Sequence, residues 1–517
     1  MAQIGRRTFL VGGLAVAGAT ALPQFARQAV AAPISAPFKC GVASGDPTPD
    51  GFVLWTRLAP TPTANDGHGG MPNRDVIVEW QLANDTAFSS TSLVAAGEVT
   101  AGYGTAHSVH VELTGLPAGR TYYYRFRAEG NISPVGTTRT MPAPGALTPF
   151  SFAFASCAHY EQGYFHAYRR MADDHPDLIL FLGDYIYERH TTGAVRTYAG
   201  TEDEAYTLAH YRQRYAQHRS DASLQAAHAV APWLPVFDDH EVENNWASIY
   251  RNDNTPSGID FAQRKADAFQ AWYENMPVRL PQVPSGSAIQ LYRRLRWGGL
   301  AVFHMLDTRQ FRAKQVSAST ESATCAGYRD TSRTITGAAQ EQWLLNGFAE
   351  HGGVWDLLGQ QVFFAGKDTD GNSATCTDES NDQWEGYAAS RDRITQGWID
   401  RQVRNPIVLT GDIHNSWACN LRKNYFDHGS PYVGAELVGT SISSSGSAPS
   451  STLLSNNPHL TFVSNDRGYV RAHVTPSLVT AEFVKVSNVT QSDVTKAVAS
   501  VVQTYAIEDG VPGLTPT

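Results

Sequence analysis

Cysteine is scarce in this chain of 517 residues, occurring five times, at 40, 157, 325, 376 and 419. Disulfides therefore do not define the fold, and an odd count leaves at least one thiol unpaired. Cys325 and Cys376 both lie in polar, loop-like sequence and form a candidate pair, although sequence alone does not fix connectivity. Basic runs are absent downstream of the first few residues and the formal net charge is −9. No nucleic-acid-binding surface is evident on that count, because backbone recognition needs clustered Lys and Arg. An anionic substrate would have to be attracted locally, and bound cations are the obvious means. Also missing are a Gly-x-Ser-x-Gly elbow, a Walker loop, a dinucleotide fingerprint and any repeat of roughly 20–50 residues. These absences set aside serine-elbow hydrolases, nucleotide-driven chemistry, solenoids and propellers.

What is present is an ordinary globular composition, 42% hydrophobic and 17% charged, long enough for two or more structural units. The first thirty residues differ from the rest: Arg6 and Arg7, an apolar stretch from Phe9 to Leu22, then Ala29-Val30-Ala31. That pattern predicts an export signal over residues 1–31, short for a spanning helix and ending in small residues that suit a signal peptidase. Arg6-Arg7-Thr8-Phe9-Leu10 resembles the twin-arginine motif, whose machinery exports folded, often cofactor-loaded proteins. The expected location is secreted, periplasmic or cell-wall associated. No later stretch is apolar enough to span a bilayer.

Residues 36–142 read as strands, with Val76, Val78 and Trp80, then Val109, Val111 and Leu113, then Tyr122, Tyr124 and Phe126 alternating between Gly/Pro turns. The run from Leu113 to Arg127 resembles fibronectin type III-like domains, so a small β-sandwich is expected there. A Pro/Gly/Ala-rich linker, 141–149, follows. From 149 to 517 the texture changes to short apolar strands between longer helical or irregular segments, the pattern of a layered α/β domain. Predicted strands cover 150–156, 177–182, 234–237, 300–306, 354–358 and 406–410. A helix is predicted over 203–228, with His210, His218 and His228 as surface or packing residues. Serines between 441 and 451 form a low-complexity loop placed to line a pocket.

Four of the strands end on residues able to ligate: Cys157; Asp184 and Tyr187; Asp239 and His240; Asp412 and His414. Ligand sites of open sheets gather at such ends. A carboxylate at a buried strand tip has two oxygens and can bridge two cations, which makes Asp184 the candidate bridge. Tyr187 returns to the same side if the loop begins a helical turn, and a phenolate suits ferric iron. Asp412 and His414 are one residue apart, so an extended strand end would point both to one face, a clip able to serve two different ions. Cys157 would add a soft thiolate. His240 lies among Asp238, Asp239, Glu241 and Glu243, which favour its protonated form and a general-acid or phosphate-stabilising role. Asn244 and Asn245 carry amide oxygens that can complete the shell of a hard cation. Such a site favours hydrolysis of an anionic ester, with cations neutralising phosphoryl oxygens and lowering the pKa of an attacking water. Iron, manganese, zinc and calcium remain open on these grounds.

The same motifs resemble the alkaline phosphatase D family, the PhoD-like metallophosphatases, relatives of purple acid phosphatases within the metallophosphoesterase superfamily. The residues that carry the resemblance are 40–47, 53–57, 155–157, 183–187, 238–246, 307–309 and 409–415. The resemblance implies a metallophosphatase-type layered α/β sandwich behind the fibronectin type III-like domain. It implies an alkaline phosphatase for phosphomonoesters and phosphodiesters, serving phosphate scavenging, with Fe3+ and Ca2+ as cofactors. Carried over by position, Cys157, Asp184, Tyr187 and His414 would hold the iron, and Asp184 would bridge to calcium held also by Asp239, Asn245 and Asp412. The choice between Asn244 and Asn245 stays open. His240 takes the place of a histidine that assists the leaving group. Arg391 and Arg467 are weaker candidates for phosphate contacts. Two alternatives accompany this expectation: a phospholipase D-like or teichoic-acid phosphodiesterase, and a non-catalytic exported binding protein.

Overall fold

The computed structural model describes residues 34–517 apart from 192–194, 253–254, 317–324, 370, 373–380 and 426. Residues 1–31, with the arginine pair and the apolar stretch, and Cys376 lie outside the described residues. Cys325 is disulfide-bonded, whereas Cys40, Cys157 and Cys419 are free and buried.

The alternating N-terminal segment forms β1 (Val42–Thr48), β2 (Gly51–Arg57), β3 (Val76–Ala83), β4 (Leu93–Ala101), β5 (Ser108–Leu113), β6 (Thr121–Ala128), β7 (Asn131–Ile132) and β8 (Gly136–Arg139). β4, β3, β6 and β7 make one sheet, with β8 also pairing β6, and β1, β2 and β5 lie in a second. Along β6 Tyr122, Tyr124 and Phe126 are buried while the residues between them are only half-buried. They share a core with Phe52, Leu54, Trp80, Val109 and Val111, as a strand wet on one face requires.

Downstream, β9 (Phe150–Ala155), β10 (Leu178–Leu182) and β11 (Trp233–Val236) run parallel. A seven-stranded sheet follows, built from β12 (Arg293–Trp297), β13 (Ala301–Met305), β14 (Trp355–Gly359), β15 (Pro406–Thr410), β16 (Ser416–Arg422), β17 (Tyr432–Val438) and β18 (Leu460–Ser464). β19 (Gly468–Val474), β20 (Leu478–Val486), β21 (Ala499–Glu508) and β22 (Thr515–Pro516) return to lie beside β9. The two sheets share one core, in which Phe152 and Leu180 of the first join Phe303, Leu357 and Leu409 of the second. The same core takes in Tyr168 of α1 (His166–Asp173), Tyr211 of α2 (Leu208–Arg219), Leu224 of α3 (Ala222–Val230) and Phe269 of α4 (Phe261–Asn275). Leu358 and Val408, one residue out of step, instead meet α5 (Gly337–Phe348) and α6 (Ala388–Asp400). Strands buried on both faces read as unbroken apolar runs, which is why they stand out in the sequence.

The helix predicted over 203–228 is two. Asp221 ends the first and starts the second by accepting from the Ser223 and Leu224 N–H groups, a capping role that breaks the run. His218 and His228 are buried packing residues. His218 bridges the Arg214 and Ala158 carbonyls, and His228 stacks on Trp233 at 3.7 Å.

β1 pairs with β11, so strands of the N-terminal segment extend the ten-stranded sheet of the α/β region. The junction is cemented by Arg57, fully buried, which donates to the carbonyls of Ala106, Gly67 and Arg212 and to Asn275 Oδ1. Trp55 donates to the Glu274 carbonyl, and Glu274 pairs with Arg212. Arg57→Met is expected to destabilise the protein by roughly 3 kcal/mol or more, because it leaves several buried acceptors unpaired. Urea unfolding reads this directly, and an unchanged midpoint would show that these bonds do not hold the two regions together.

Candidate metal centre

Cys157 follows β9, Asp184 follows β10, Asp239 and His240 follow β11, and Asp412 and His414 follow β15. β9, β10 and β11 belong to one sheet and β15 to the other, so the residues meet where both sheets end. Two glycines let the strand ends close up. A Cβ on Gly183, at φ +106°, would lie 2.4 Å from Asp238 Cβ, and one on Gly411 would lie 2.7 Å from Ser156 Cβ. Each glycine immediately precedes a candidate carboxylate, Asp184 or Asp412.

Five candidate residues sit in the left-handed region: Cys157 at φ +59°, Asp184 at +57°, Asn245 at +53°, Asp412 at +67° and His414 at +56°. Such conformations cost of order 1–2 kcal/mol each for residues with a Cβ and cluster at functional sites. They replace the geometry expected from sequence. Asp412 and His414 do not share a face by strand alternation, because β15 ends at Thr410. The turn sends them to different groups of donors. Tyr187 is likewise carried back by a bend rather than a helical turn, and its Oη donates to Asp184 Oδ2 at 2.9 Å.

Three overlapping groups have ligand atoms within 4.8 Å of one another: Cys157, Asp184 and His414; Asp184, Asp239 and His240; and Asp238, Asp239 and Asp412. Asp184 and Asp239 each belong to two of them. Tyr187 Oη adds a further donor, 3.1 Å from His414 Nε2. Among the described residues, Asp184 Oδ1, Asp238 Oδ2 and Asp239 Oδ1 are buried without a hydrogen-bond partner. Buried carboxylate oxygens demand compensation, and cations supply it. The donor set fits that demand: thiol, imidazole and phenol gather on one side and carboxylates on the other, a mixed-donor half suited to a transition metal and an all-carboxylate half suited to a hard cation, sharing Asp184.

Charge is short at this site. Burial pushes the Asp184 carboxyl well up against the opposing pull of His240, and Asp239, Glu241 and Asp412 push it further. Burial, seconded by Asp239, raises Asp412 to about 6. Asp239 goes the other way: burial opposes its ionisation, but Arg309 and His240 outweigh it. Burial also raises the Cys157 thiol and the Tyr187 phenol, each with help from Asp184, so cation charge is needed for either to ligate as an anion. Burial lowers His414 to about 4, leaving it neutral near pH 7. Its Nδ1 lies 2.9 Å from the Ser445 carbonyl, which can only accept, so Nδ1 carries the proton and Nε2 keeps a free lone pair.

The remaining sequence candidates are placed as follows. His240 Nδ1 donates to Glu188 Oε2 at 2.7 Å, and burial, which disfavours its charge, is outweighed by Glu188, Asp239 and Asp184, so the imidazole is held protonated. Asn245 donates its backbone N–H to Asp239 Oδ2 at 2.7 Å while its side chain is exposed, and Asn244 N–H donates to Glu188. Arg467 stands close enough to His414 to disfavour its protonation. Arg391 lies elsewhere, its guanidinium buried against Glu385 and over Tyr425.

Sequence reasoning passed over Glu188, met Arg309 only inside the 307–309 motif and Ser444 only within the low-complexity serine loop, and treated Glu241 only as a neighbouring charge. Glu241 accepts from the backbone N–H groups of Asp184, Tyr185 and Asp238, tying the ends of β10 and β11 together. Arg309 donates from Nε to Asp238 Oδ1 at 2.5 Å, and its Nη2 lies 3.2 Å from Asp239 Oδ1. Ser444 Oγ lies 2.9 Å from Tyr187 Oη.

The PhoD-like phosphatase family matches residues 152–483, and the N-terminal domain of PhoD-like phosphatases matches residues 24–142. Alkaline phosphatase D of Bacillus subtilis (strain 168) is 44% identical over 497 residues, covering 92% of this chain and 84% of that protein. A solved structure of PhoD superposes with a TM-score of 0.87 at 42% identity, covering 96% of this chain and 93% of its own. A purple acid phosphatase from yellow lupin (Lupinus luteus) seeds shares the fold, with a TM-score of 0.58 at 12% identity over 90% of this chain and 74% of that one.

The raised Asp412 sets a pH window for stability. Between its ordinary 3.8 and about 6, the cation-free folded protein keeps a proton that the unfolded chain has lost. Stability contributed by this group therefore falls as pH rises through the window, by roughly 3 kcal/mol in all. Cations bind the ionised form and reverse the loss. The gain in thermal midpoint on replacing chelator by calcium and iron salts is expected to be larger at pH 8 than at pH 5; equal gains would take Asp412 out of the cluster.

Proposed function

From the premise that this chain belongs to the PhoD-like phosphatase family, and is a phosphatase, we propose that the cluster around Asp184 is its active site, an iron and calcium centre that hydrolyses phosphomonoesters and phosphodiesters. The observation that carries this reading is the overlap of the three donor groups at Asp184 and Asp239, with the buried Asp184 Oδ1 and Asp238 Oδ2 lacking a hydrogen-bond partner among the described residues. Cys157, Tyr187 and His414 would hold ferric iron, with Asp184 bridging to calcium. Asp239, Asp412 and Asn245 would complete the calcium side. When bound, the cations neutralise the phosphoryl oxygens, acidify an attacking water and steady the leaving oxygen.

The chain's own residues set up the rest. His240, fixed through Nδ1 by Glu188, presents a protonated ring beside Asp184 and Asp239, suited to stabilise the phosphoryl group or to give a proton to the departing alkoxide. Arg309 holds Asp238 and Asp239 from behind, so the carboxylates keep their positions before substrate arrives. No protein nucleophile is needed.

Arg6-Arg7 and the Ala29-Val30-Ala31 end of the leader support export of the folded protein through the twin-arginine route, with phosphate scavenging outside the cytoplasm. Replacing both arginines by lysine is expected to abolish export, read as the enzyme's distribution between cells and medium or periplasm; undiminished export would exclude that route.

Asp184→Asn is expected to lower turnover of a chromogenic phosphomonoester and its diester analogue by about 10³-fold or more, without loss of fold by circular dichroism. Chelation should abolish the wild-type activity together with its iron and calcium, followed by elemental analysis. Full activity in the Asp184→Asn protein would remove the bridging role.

A further inference from the structure

The loop between β17 and residue 446 is not used in the reading above, and it reaches three of the four groups assigned to iron. Ile442 N–H donates to the Ser156 carbonyl at 3.0 Å, and the Ser443 and Ser444 N–H groups both approach the Cys157 carbonyl, at 3.4 and 3.3 Å. Ser444 Oγ lies 2.8 Å from the same carbonyl and 2.9 Å from Tyr187 Oη, so its single proton can be given to either oxygen. The Ser445 carbonyl accepts from His414 Nδ1, which leaves Nε2 as the ligating atom. Gly446 packs directly behind the same histidine; a Cβ there would lie 2.6 Å from the His414 carbonyl oxygen and 2.9 Å from His414 Cβ. Thr440 Oγ1 lies 3.3 Å from the His414 carbonyl and donates to the nearer Asp466 carbonyl at 2.7 Å.

The loop is itself held. Ser443 Oγ donates to the His159 carbonyl at 2.8 Å, the Ser445 N–H and hydroxyl donate to Gln162 Oε1, and Ser441 Oγ closes the turn on the Ser444 carbonyl. His159 in turn stacks on Tyr187 at 4.4 Å, with His240 on the ring's other side at 4.2 Å. Among the described residues, no hydrogen bond runs from residues 440–446 to Asp184, Asp238, Asp239 or Asp412. Support is therefore divided: Asp184, Asp238 and Asp239 rest on Arg309 and Glu241, and the Tyr187 phenol, the His414 imidazole and the backbone carbonyl of Cys157 on this loop, while the thiol itself lies against Ser156 Oγ and the Asp412 carbonyl.

We propose that the serine loop 440–446 is the positioning element of the iron half of the centre, acting through Ser444 on Tyr187 and through Ser445 and Gly446 on His414, and not on the calcium half. The inference rests on the reading of the site given above. Groups that orient metal ligands typically alter affinity by about 10- to 100-fold when lost. A phenolate deprived of a hydrogen bond is a stronger donor, so its charge-transfer absorption to iron moves to longer wavelength.

The test uses the full chain as the wild type and as Ser444→Ala, Ser444→Thr and Gly446→Ala, with circular dichroism as the check on folding. Iron and calcium are counted, the loss of iron to a chelator is timed, and the visible absorption is recorded. Ser444→Ala is expected to lose iron about 10- to 100-fold faster, with a red-shifted band and wild-type calcium. Ser444→Thr keeps the hydroxyl and should stay near the wild type in both. Gly446→Ala should lose iron and retain calcium, which decides the matter if Ser444→Ala does not fold. A Ser444→Ala protein with the wild-type rate and band overturns the inference, as does equal loss of calcium from Gly446→Ala. A wild-type protein without iron or a visible band removes the underlying reading instead, a result separable from the first two.

Discussion

Asp184, Asp238 and Asp239, buried, and Asp412, half-buried, are gathered into one small space, and among the described residues the positive groups set against them are Arg309, His240 and Arg312. Like charges at such distances repel strongly in a medium of low polarizability, so the arrangement is held by the architecture around it and not by its own affinity. Two sheets packed face to face supply that architecture, because their ends cannot separate without opening the core they share. Glu241 makes the clamp local by gathering the backbone N–H groups of both strand ends on one carboxylate. Burial pushes its own pKa up to about 7 despite those three donors, another sign of how little charge the region tolerates.

This constraint explains the local backbone. A side chain that left each strand in extended conformation would continue along the sheet; turning it into the crevice requires the left-handed region that Cys157, Asp184, Asp412 and His414 adopt. Single left-handed residues of this kind are tolerated where surrounding structure fixes them on several sides. At Asp184 the fixing groups are Gly183, pressed on Asp238, and the Ala158 N–H, which donates to the Asp184 carbonyl. Left-handed backbone and electrostatic repulsion coincide where the ligand groups converge, as expected of a site built to receive charge.

The strands were legible because burial on both faces leaves unbroken apolar runs; the segments at 150–156, 177–182 and 406–410 match β9, β10 and β15 to within a residue. The gathering of Cys157, Asp184, Tyr187, Asp239, His240, Asp412 and His414 was legible as well, since one polar strand end is often only a turn but four carrying ligand-capable residues point to a shared site. How they gather was not. Extended alternation at Asp412 and His414 and a helical turn at Tyr187 were reasonable local geometries that the tight contact of neighbouring strands overrides. The roles of Glu188, Arg309 and Ser444 escaped notice because their partners lie 52, 71 and 257 positions away and no spacing rule links them. Arg391 was misjudged because one buried guanidinium looks like another until its carboxylate, here Glu385, is seen.

The pairing of β1 with β11 has a consequence for heredity and for engineering alike. A region whose strands complete the neighbouring sheet, and whose buried arginine is satisfied in part by the neighbour's Arg212 carbonyl and Asn275 side chain, cannot be exchanged like a bead on a string. Recombination between distant relatives that cuts near residue 145 would join two halves of unmatched edges. The two regions must therefore travel, vary and be redesigned as a single unit, and exposed turns such as Gly115 and Gly130 are places for insertions rather than for joining halves of different parents.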